Sequence, residues 1–378
     1  MNRRKFLSLT GGGIIVAATA SVATIASRTP AAALAPWDQA GVIYDEPRKH
    51  ALSYAILAPN PHNRQPWMVD LSQPDTVVLT VDTDRLLPHT DPFSRQITIG
   101  LGCFLEVMVM AAAEDGYTVD LQVFPEGSDA AALDGRPVAI ASFRADPNVA
   151  KDPLFRHIFA RRSNKEPFDV TRAVPPEAVS QIAAAARFGR VDGSVADDSI
   201  ATLRALTSEA LMIELETPHT YKESVDLFRI GKAEVEANPD GIDLSGPMFE
   251  VLGTFGMMTR EAALDTTSTV YTQGITAQMA TTNSAMGHIW MTTRGNTRED
   301  QINAGRDWVR LNLAATARGV AFQPLSQALQ EYPEMATHYA RVHQMLARDG
   351  ETVQMLCRLG YGIAVNRSPR WPLEAKLI

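Results

Sequence analysis

The stretch "ARRSNKEPF" sets Arg161, Arg162, Ser163, Asn164 and Lys165 side by side. Two guanidinium forks, a hydroxyl and an ammonium, joined by the free amides of a turn, have the chemistry of a monoester-phosphate site. The same composition also suits a solvated basic turn. The terminal "NRSPRWPLEAKLI" carries Arg367 and Arg370 among prolines, and a terminal segment frays unless a partner ties it down. Toward the other end, "LAPNPHNRQPW" packs three prolines, two asparagines and a tryptophan between Leu57 and Trp67. A loop so particular is expected to hold something, with the rest of its site elsewhere in the chain.

Other chemistries find no motif. No GxGxxG follows a strand, and there is no Walker loop and no HExxH. His338 and His343 do not share a helix face, and no carboxylate completes a metal set. Ser163 and Ser326 lack a nucleophile-elbow setting. No metal site and no catalytic triad are expected, and no catalytic side chain can be assigned. A net charge of −8, with no extended basic run beyond the N-terminus, argues against a nucleic-acid partner. An apolar content of 45% supplies ample core. Cys103 and Cys357 lie in apolar stretches and read as core residues.

The elements that must position these residues come in two echoing sets. "IGLGCFLEVMVMAAAEDG" (Ile99 to Gly116) lies on "INAGRDWVRLNLAATARG" (Ile302 to Gly319) without a gap, with Ile, Gly, Ala-Ala and the final Gly coinciding. Each reads as a helix with an apolar stripe and a small-residue face, closed by a C-terminal glycine. Each runs on into a candidate strand, "YTVDLQVF" or "VAFQPLSQ". The first half, 36–150, is expected to hold a helix near Pro47 to Leu57, the proline loop, and strands around 67–71, 77–81, 119–124 and 138–143. The second half, 151–378, is expected to open with a helix, the basic turn, and a further helix begun by Pro175-Pro176-Glu177. Within it, 229–282 is rich in Gly, Met, Thr and Pro with weak periodicity, as expected of a functional lid or of a structural excursion. "GHIWMTT" and "VQMLCRLGYGIAV" read as strands. The sum is an α+β layered fold.

Arg3-Arg4 ahead of the apolar run Gly11 to Ala26 is the pattern of a twin-arginine export signal, assigned to 1–35. The run is short for a membrane span and contains Gly and Thr. This predicts engagement with the twin-arginine machinery and a periplasmic or exported destination. Export in the folded state also favours a bound cofactor.

Taken together, these stretches resemble the FMN-dependent nitroreductase family. "APNPHNRQPW" is similar to its "APSxxNxQPW" loop, and "RRSNKEPFD" to its "RRSxRxF" phosphate turn. "AATARGVAFQPLSQ" resembles the helix-to-strand step beside flavin N5, and "LGYGIAVNRSPRWPLEAKL" the closing tail whose arginine reaches the phosphate. The resemblance covers about residues 45 to 378. It departs in order: the proline loop occurs only in the first half and the other motifs only in the second. That resembles a fused pseudo-dimer with one surviving site, as in the tandem Acg-type branch.

The resemblance implies a nitroreductase-like fold of two tandem halves and one FMN per chain, with a monomer sufficient to hold it. It implies phosphate binding by Arg161, Arg162, Ser163, Lys165 and Arg370. Asn63, with the backbone of Pro59, Asn60 and Pro61, would touch the ring system, and Pro324, Leu325, Ser326 and Gln327 would line its N5/O4 edge. Asn164 and Arg358 are secondary candidates, and Trp67 is expected to pack in the core. The implied function is an oxidoreductase of nitroreductase type whose electron donor and acceptor are unassigned. The alternative is a flavin-sequestering protein with little turnover, in which Met248, Phe249, Phe255, Met257 and Met258 are expected to cover the ring. A cofactor-free relic is a third reading.

Overall fold

The computed structural model describes residues 29–378, so the Arg3-Arg4 segment lies outside the described residues. Helix α1 (Ala31–Gln39) runs across the boundary expected at residue 35. Helix α2 (Pro47–Ala55) begins on a proline, and the Glu46 carboxylate caps it by accepting the Arg48 and Lys49 amides. Proline at the first turn and an acid at the N-terminus both suit a helix start. The proline loop follows, then β1 (Trp67–Asp70), β2 (Thr76–Val81), α3 (Arg95–Glu114), β3 (Tyr117–Val123) and β4 (Ala139–Ala145). These strands form an antiparallel sheet in the order β1-β2-β4-β3.

The helix expected ahead of the basic turn is a single 3-10 turn, Phe155–His157. Asp152 accepts the Leu154 amide and pairs with Arg187 and Arg310, which anchors the start of this segment. Phe159 is left at the surface, so the segment lacks the apolar stripe that would extend a helix. Next come α4 (Pro176–Ala183), β5 (Arg190–Ser194), α5 (Asp197–Glu216) and α6 (Pro218–Asp226). The weakly periodic region folds into short pieces: β6 (Phe228–Ile230), α7 (Gly231–Ala237), β7 (Ile242–Leu244), α8 (Pro247–Thr254), α9 (Arg260–Leu264) and α10 (Thr269–Asn283). The chain closes with β8 (Gly287–Thr293), α11 (Arg298–Ala317), β9 (Ala321–Pro324), α12 (Ala336–Leu346) and β10 (Thr352–Gly360). The second sheet is also antiparallel, in the order β5-β8-β10-β9. Strand β9 ends at Pro324, which has no N–H to give a ladder.

The two sheets share one plan, with a long helix between the second and third strands of each. Those helices, α3 and α11, cross at their glycines. A Cβ on Gly102 would lie 2.2 Å from the Ile302 carbonyl, and one on Gly305 would lie 1.9 Å from the Ile99 carbonyl. Gly102 with Gly305, and Ile99 with Ile302, are the pairs matched in the sequence comparison. The contact is therefore reciprocal, as at a two-fold interface. Arg95 and Arg298 extend the relation in the same register. Arg95 donates to the Leu329 and Gln354 carbonyls of the second half at 2.6 and 2.7 Å. Arg298 donates to the Asp129 and Ala130 carbonyls of the first at 3.1 and 3.3 Å.

The fold is thus α+β, two similar halves sharing one core through the helix pair. Helix α3 is long and apolar enough to cross a membrane, but it is the buried centre of this core. Both cysteines are free and buried. Trp67 is fully buried and stacks on Phe104 with ring centroids 5.0 Å apart.

Candidate functional site

The proline loop is held in an uncommon backbone shape by its own hydrogen bonds. His62, Asn63 and Gln65 adopt left-handed φ of 45°, 53° and 48°, which non-glycine residues rarely do without support. Asn60 supplies part of that support: its Oδ1 accepts the Gln65 amide at 2.7 Å and its Nδ2 donates to the Ala58 carbonyl at 3.2 Å. Gly100 of α3 lets the loop settle closely, since a Cβ there would meet Asn60 and Pro61 at 3.1 Å.

The loop's partners come from far downstream. Asn63 Nδ2 donates to the Pro369 carbonyl at 3.0 Å, and the Arg370 guanidinium donates back to Asn63 Oδ1. Arg370 also donates to the Leu57 and Ala58 carbonyls, each at 3.1 Å. Gln65 accepts the Trp371 amide at 2.9 Å, and its carbonyl accepts the Lys376 ammonium at 2.8 Å. From the basic turn, Arg161 reaches the same Leu57 carbonyl at 3.1 Å. From the insertion, the Pro239 carbonyl accepts Gln65 Nε2 at 2.6 Å.

The electrostatics of this junction favour an anion. Arg161 and Arg370 are 5% and 2% exposed and share one carbonyl acceptor. Among the described residues no carboxylate pairs with Arg161, Arg162 or Arg370. Burial, then the Arg162 charge, pushes Arg161 down to about 10. Burial, then Arg161 and Arg162, pushes Arg370 well below the usual arginine range. The Arg370 Nε is buried without a partner, and the amides of Arg162, Ser163 and Lys165 meet no acceptor among the described residues. Buried like charges with unspent donors are costly unless an anion joins them. A phosphate group fits this donor set.

The remaining members of the turn differ in exposure. Arg162 donates to the Phe159 and Arg161 carbonyls at 2.8 and 2.7 Å, which leaves it at the rim. Ser163 is half-buried with no protein partner among the described residues, and Lys165 is exposed. His62 of the proline loop is held down to about 4 by burial first, then by the Lys165 and Arg64 charges.

The edge segment lies beside the basic turn. The Asn164 amide donates to the Phe322 carbonyl of β9 at 3.0 Å. Fully buried Arg358 fastens both sides, donating to the Asn164 and Glu166 carbonyls, to Ser284 and to the Gln323 side chain. Asn164 and Arg358 therefore act as fasteners within the protein. In Pro324–Gln327, the Leu325 amide is already taken by the Leu356 carbonyl at 2.8 Å. Gln327 turns its side-chain amide toward Glu214. Among the described residues no hydrogen bond joins Pro324–Gln327 to the proline loop.

Two contributors escaped the sequence reading. Trp37 of α1 lies under three guanidinium groups: Arg162, Arg370 and Arg367, at 5.2, 5.5 and 5.7 Å from a ring centroid. Its Nε1 donates to the Ser368 carbonyl at 2.8 Å, so the ring both orders the tail and stabilises the cations. Asp240, 5% exposed, pairs with Arg64, Arg85 and Arg229 and pins the insertion to the proline loop. A lone tryptophan in a short helix and an aspartate in "NPDG" carry no local signal for such roles.

The apolar residues expected to cover the ring lie mostly at the protein surface. Met248, Phe255 and Met257 are 62%, 72% and 50% exposed, Phe249 is half-buried, and only Met258 is buried. Helix α8 leans on β6 and α7 along one side, with Gly253 against Ile230 and Glu250 beside Gly231, and the rest of its apolar surface faces outward.

No protein-family model matches the chain. Two Mycobacterium tuberculosis proteins that carry the name "putative NAD(P)H nitroreductase" are similar to it. One, acg, is 32% identical over 129 residues, which is 34% of this chain and only 37% of that protein. The other is 26% identical over 325 residues, 85% of this chain and 86% of its own length. Among solved structures, the FMN-dependent nitroreductase NfnB of Mycobacterium smegmatis, in complex with NADPH, aligns at 18% identity with a TM-score of 0.37, covering 58% of this chain and 94% of its own. A Bacteroides fragilis nitroreductase with bound FMN aligns at 12% identity with a TM-score of 0.34, over 58% and 95%. Structural likeness at that level carries no weight here. Along most of its length the chain is thus similar in sequence to a protein named as a nitroreductase, and the motifs that carry the resemblance gather at this junction.

Proposed function

We propose that the chain is an FMN-binding oxidoreductase of nitroreductase type, holding one FMN where the two halves meet. The observation that carries this reading is the buried Arg161–Arg370 pair, which shares the Leu57 carbonyl of the proline loop and has no carboxylate partner among the described residues. Arg161, Arg370, Ser163 and the free amides of the turn would hold the phosphate, with Lys165 and Arg162 at its rim. Trp37 would keep water from the arginines and hold the tail in place. The preformed loop from Pro59 to Asn63 would bound the ring system, and Pro324–Gln327 its N5/O4 edge. Bound FMN supplies electron or hydride transfer at N5, and the protein supplies orientation and electrostatics.

Turnover, not sequestration, is the reading we favour, because Met248 and Val251 of α8, with Phe255 and Met257 just beyond it, are exposed and not packed into a closed cover. The relatives are named for NAD(P)H; this chain's own donor and acceptor are to be found by assay. We also propose export of the folded, loaded protein by the twin-arginine route, supported by Arg3-Arg4 and the apolar run behind them. Cell fractionation with Arg3-Arg4→Lys-Lys tests it, and unchanged export would contradict it. The absorbance spectrum of the purified protein, followed by NADPH addition under argon, tests the main reading. A flavin spectrum bleached by NADPH is expected. A colourless protein that cannot be reconstituted with FMN would overturn the reading, and a flavin inert to NADPH but reduced by dithionite would return it to sequestration.

A further inference from the structure

Helix α5 carries a carboxylic acid that no cation answers among the described residues. Glu214 is 6% exposed; Gln330 Nε2 donates to its carboxyl at 2.8 Å, and the Gln327 side chain lies close enough to act on it. Its backbone carbonyl accepts the Thr220 hydroxyl at 2.8 Å, fixing the end of α5 to α6. Two groups of the titratable kind face it. One is Glu223 of α6, which is itself taken up by the His89 and Thr90 amides. The other is Tyr332, from the segment after β9. The other elements packed on α5 (α10, α12 and β8) bring no charge into reach among the described residues. Among the described residues, Gln330 Oε1 is buried without a partner.

Both glutamines belong to the stretch that leaves β9, Pro324 to Gln330. Arg95 of the first half clamps the same stretch through the Leu329 carbonyl. A lone buried carboxyl thus holds one side of the segment whose other side borders the proposed flavin edge. A carboxylate is acceptor-only, whereas the protonated acid also donates. Gain or loss of one proton therefore changes what the two glutamines are tied to.

We propose that Glu214 is a positioning residue for that edge: acting through Gln327 and Gln330, its carboxyl sets how Pro324–Gln327 meet the flavin, with a hold that depends on its protonation. The inference rests on the FMN reading. Burial, the main cause, with Glu223 adding to it and the glutamine amides opposing, raises the acid from its ordinary 4.5 to about 7. The folded protein then keeps a proton that the unfolded chain gives up. That contribution to stability is full below the ordinary value and is lost as pH rises through the folded value.

The test compares native protein, Glu214→Gln, which keeps the shape but does not titrate, and Gln330→Ala, which cuts one tether and leaves the acid. FMN affinity and the Tm of the apoprotein are followed from about pH 5 to 8. The phosphate of FMN titrates alike in all three, so it cancels in ratios. Relative to Glu214→Gln, native protein is expected to lose FMN affinity several-fold as pH climbs through this range, and its Tm to fall where that of the variant does not. Gln330→Ala is expected to show a reduced pH dependence of affinity. An affinity ratio independent of pH, or superimposable Tm profiles, would overturn the proposal while leaving the FMN reading intact. Native protein that binds no FMN at any pH would overturn the FMN reading, and this inference with it.

Discussion

At Leu57 two guanidinium groups converge on one carbonyl, and that arrangement costs the apoprotein something a ligand would return. Arg161 donates to that single acceptor and to no other among the described residues. Arg161→Met is therefore expected to leave the apoprotein Tm unchanged or raised, because it removes a buried charge facing Arg162 and Arg370. The same variant is expected to weaken FMN by about 10- to 100-fold, the worth of roughly 1.5 to 3 kcal/mol in charge-assisted bonds. Riboflavin, which lacks the phosphate, should be little affected in a parallel titration. A fall in Tm with FMN affinity intact would make Arg161 a structural clamp instead. The types and order of Asn63, Arg161 and Arg370 made this junction legible in the sequence, because each sits in a compact motif. Trp37 was not, since its role is a ring under cations that arrive from 162, 367 and 370. Leu325 was legible only as to place, since its amide is spent inside the protein.

At the scale of elements, two arrangements bring the loop to its partners. One is the α3–α11 crossing, where each glycine nearly touches the other helix's backbone. Gly305→Ala would place a Cβ 1.9 Å from the Ile99 carbonyl, so the helices must part. Overpacking of this kind typically costs about 1 to 3 kcal/mol, to be read as a lowered urea midpoint; an unchanged midpoint would mean that the crossing is loose. The other is the Asp240 anchor. Asp240→Asn leaves Arg64, Arg85 and Arg229 without their buried carboxylate, a kind of loss worth about 3 to 5 kcal/mol. Faster proteolysis within 229–245 and weaker FMN binding are expected together. Intact protease resistance would show that the insertion is held elsewhere. Most strands and the helix pair could be read from periodicity and from the gapless overlay of Ile99 to Gly116 on Ile302 to Gly319. The insertion could not, because elements as short as Phe228–Ile230 and Ile242–Leu244 carry too few residues to show a period.

Across the whole molecule, two similar halves differ at the positions that correspond to one another. In the register of the helix overlay, Phe104 of α3 corresponds to Asp307 of α11. In the first half, Trp67 at the end of the proline loop stacks on Phe104. In the second, the loop ahead of β5 folds down on Asp307, whose carboxylate accepts the amides of Arg187, Phe188 and Gly189 at 2.7, 2.8 and 2.8 Å. Close by, Glu106 neutralises Arg187, Arg306 and Arg310. The second position thus satisfies its own donors and cations, whereas at the first no carboxylate among the described residues pairs with Arg161 or Arg370. The most direct test is the ratio of FMN to chain, from flavin absorbance and phosphorus analysis on protein whose mass in solution is measured alongside. One FMN per chain, held by a monomer, is the expected result. Two per chain, or none after reconstitution with excess FMN, would contradict the account.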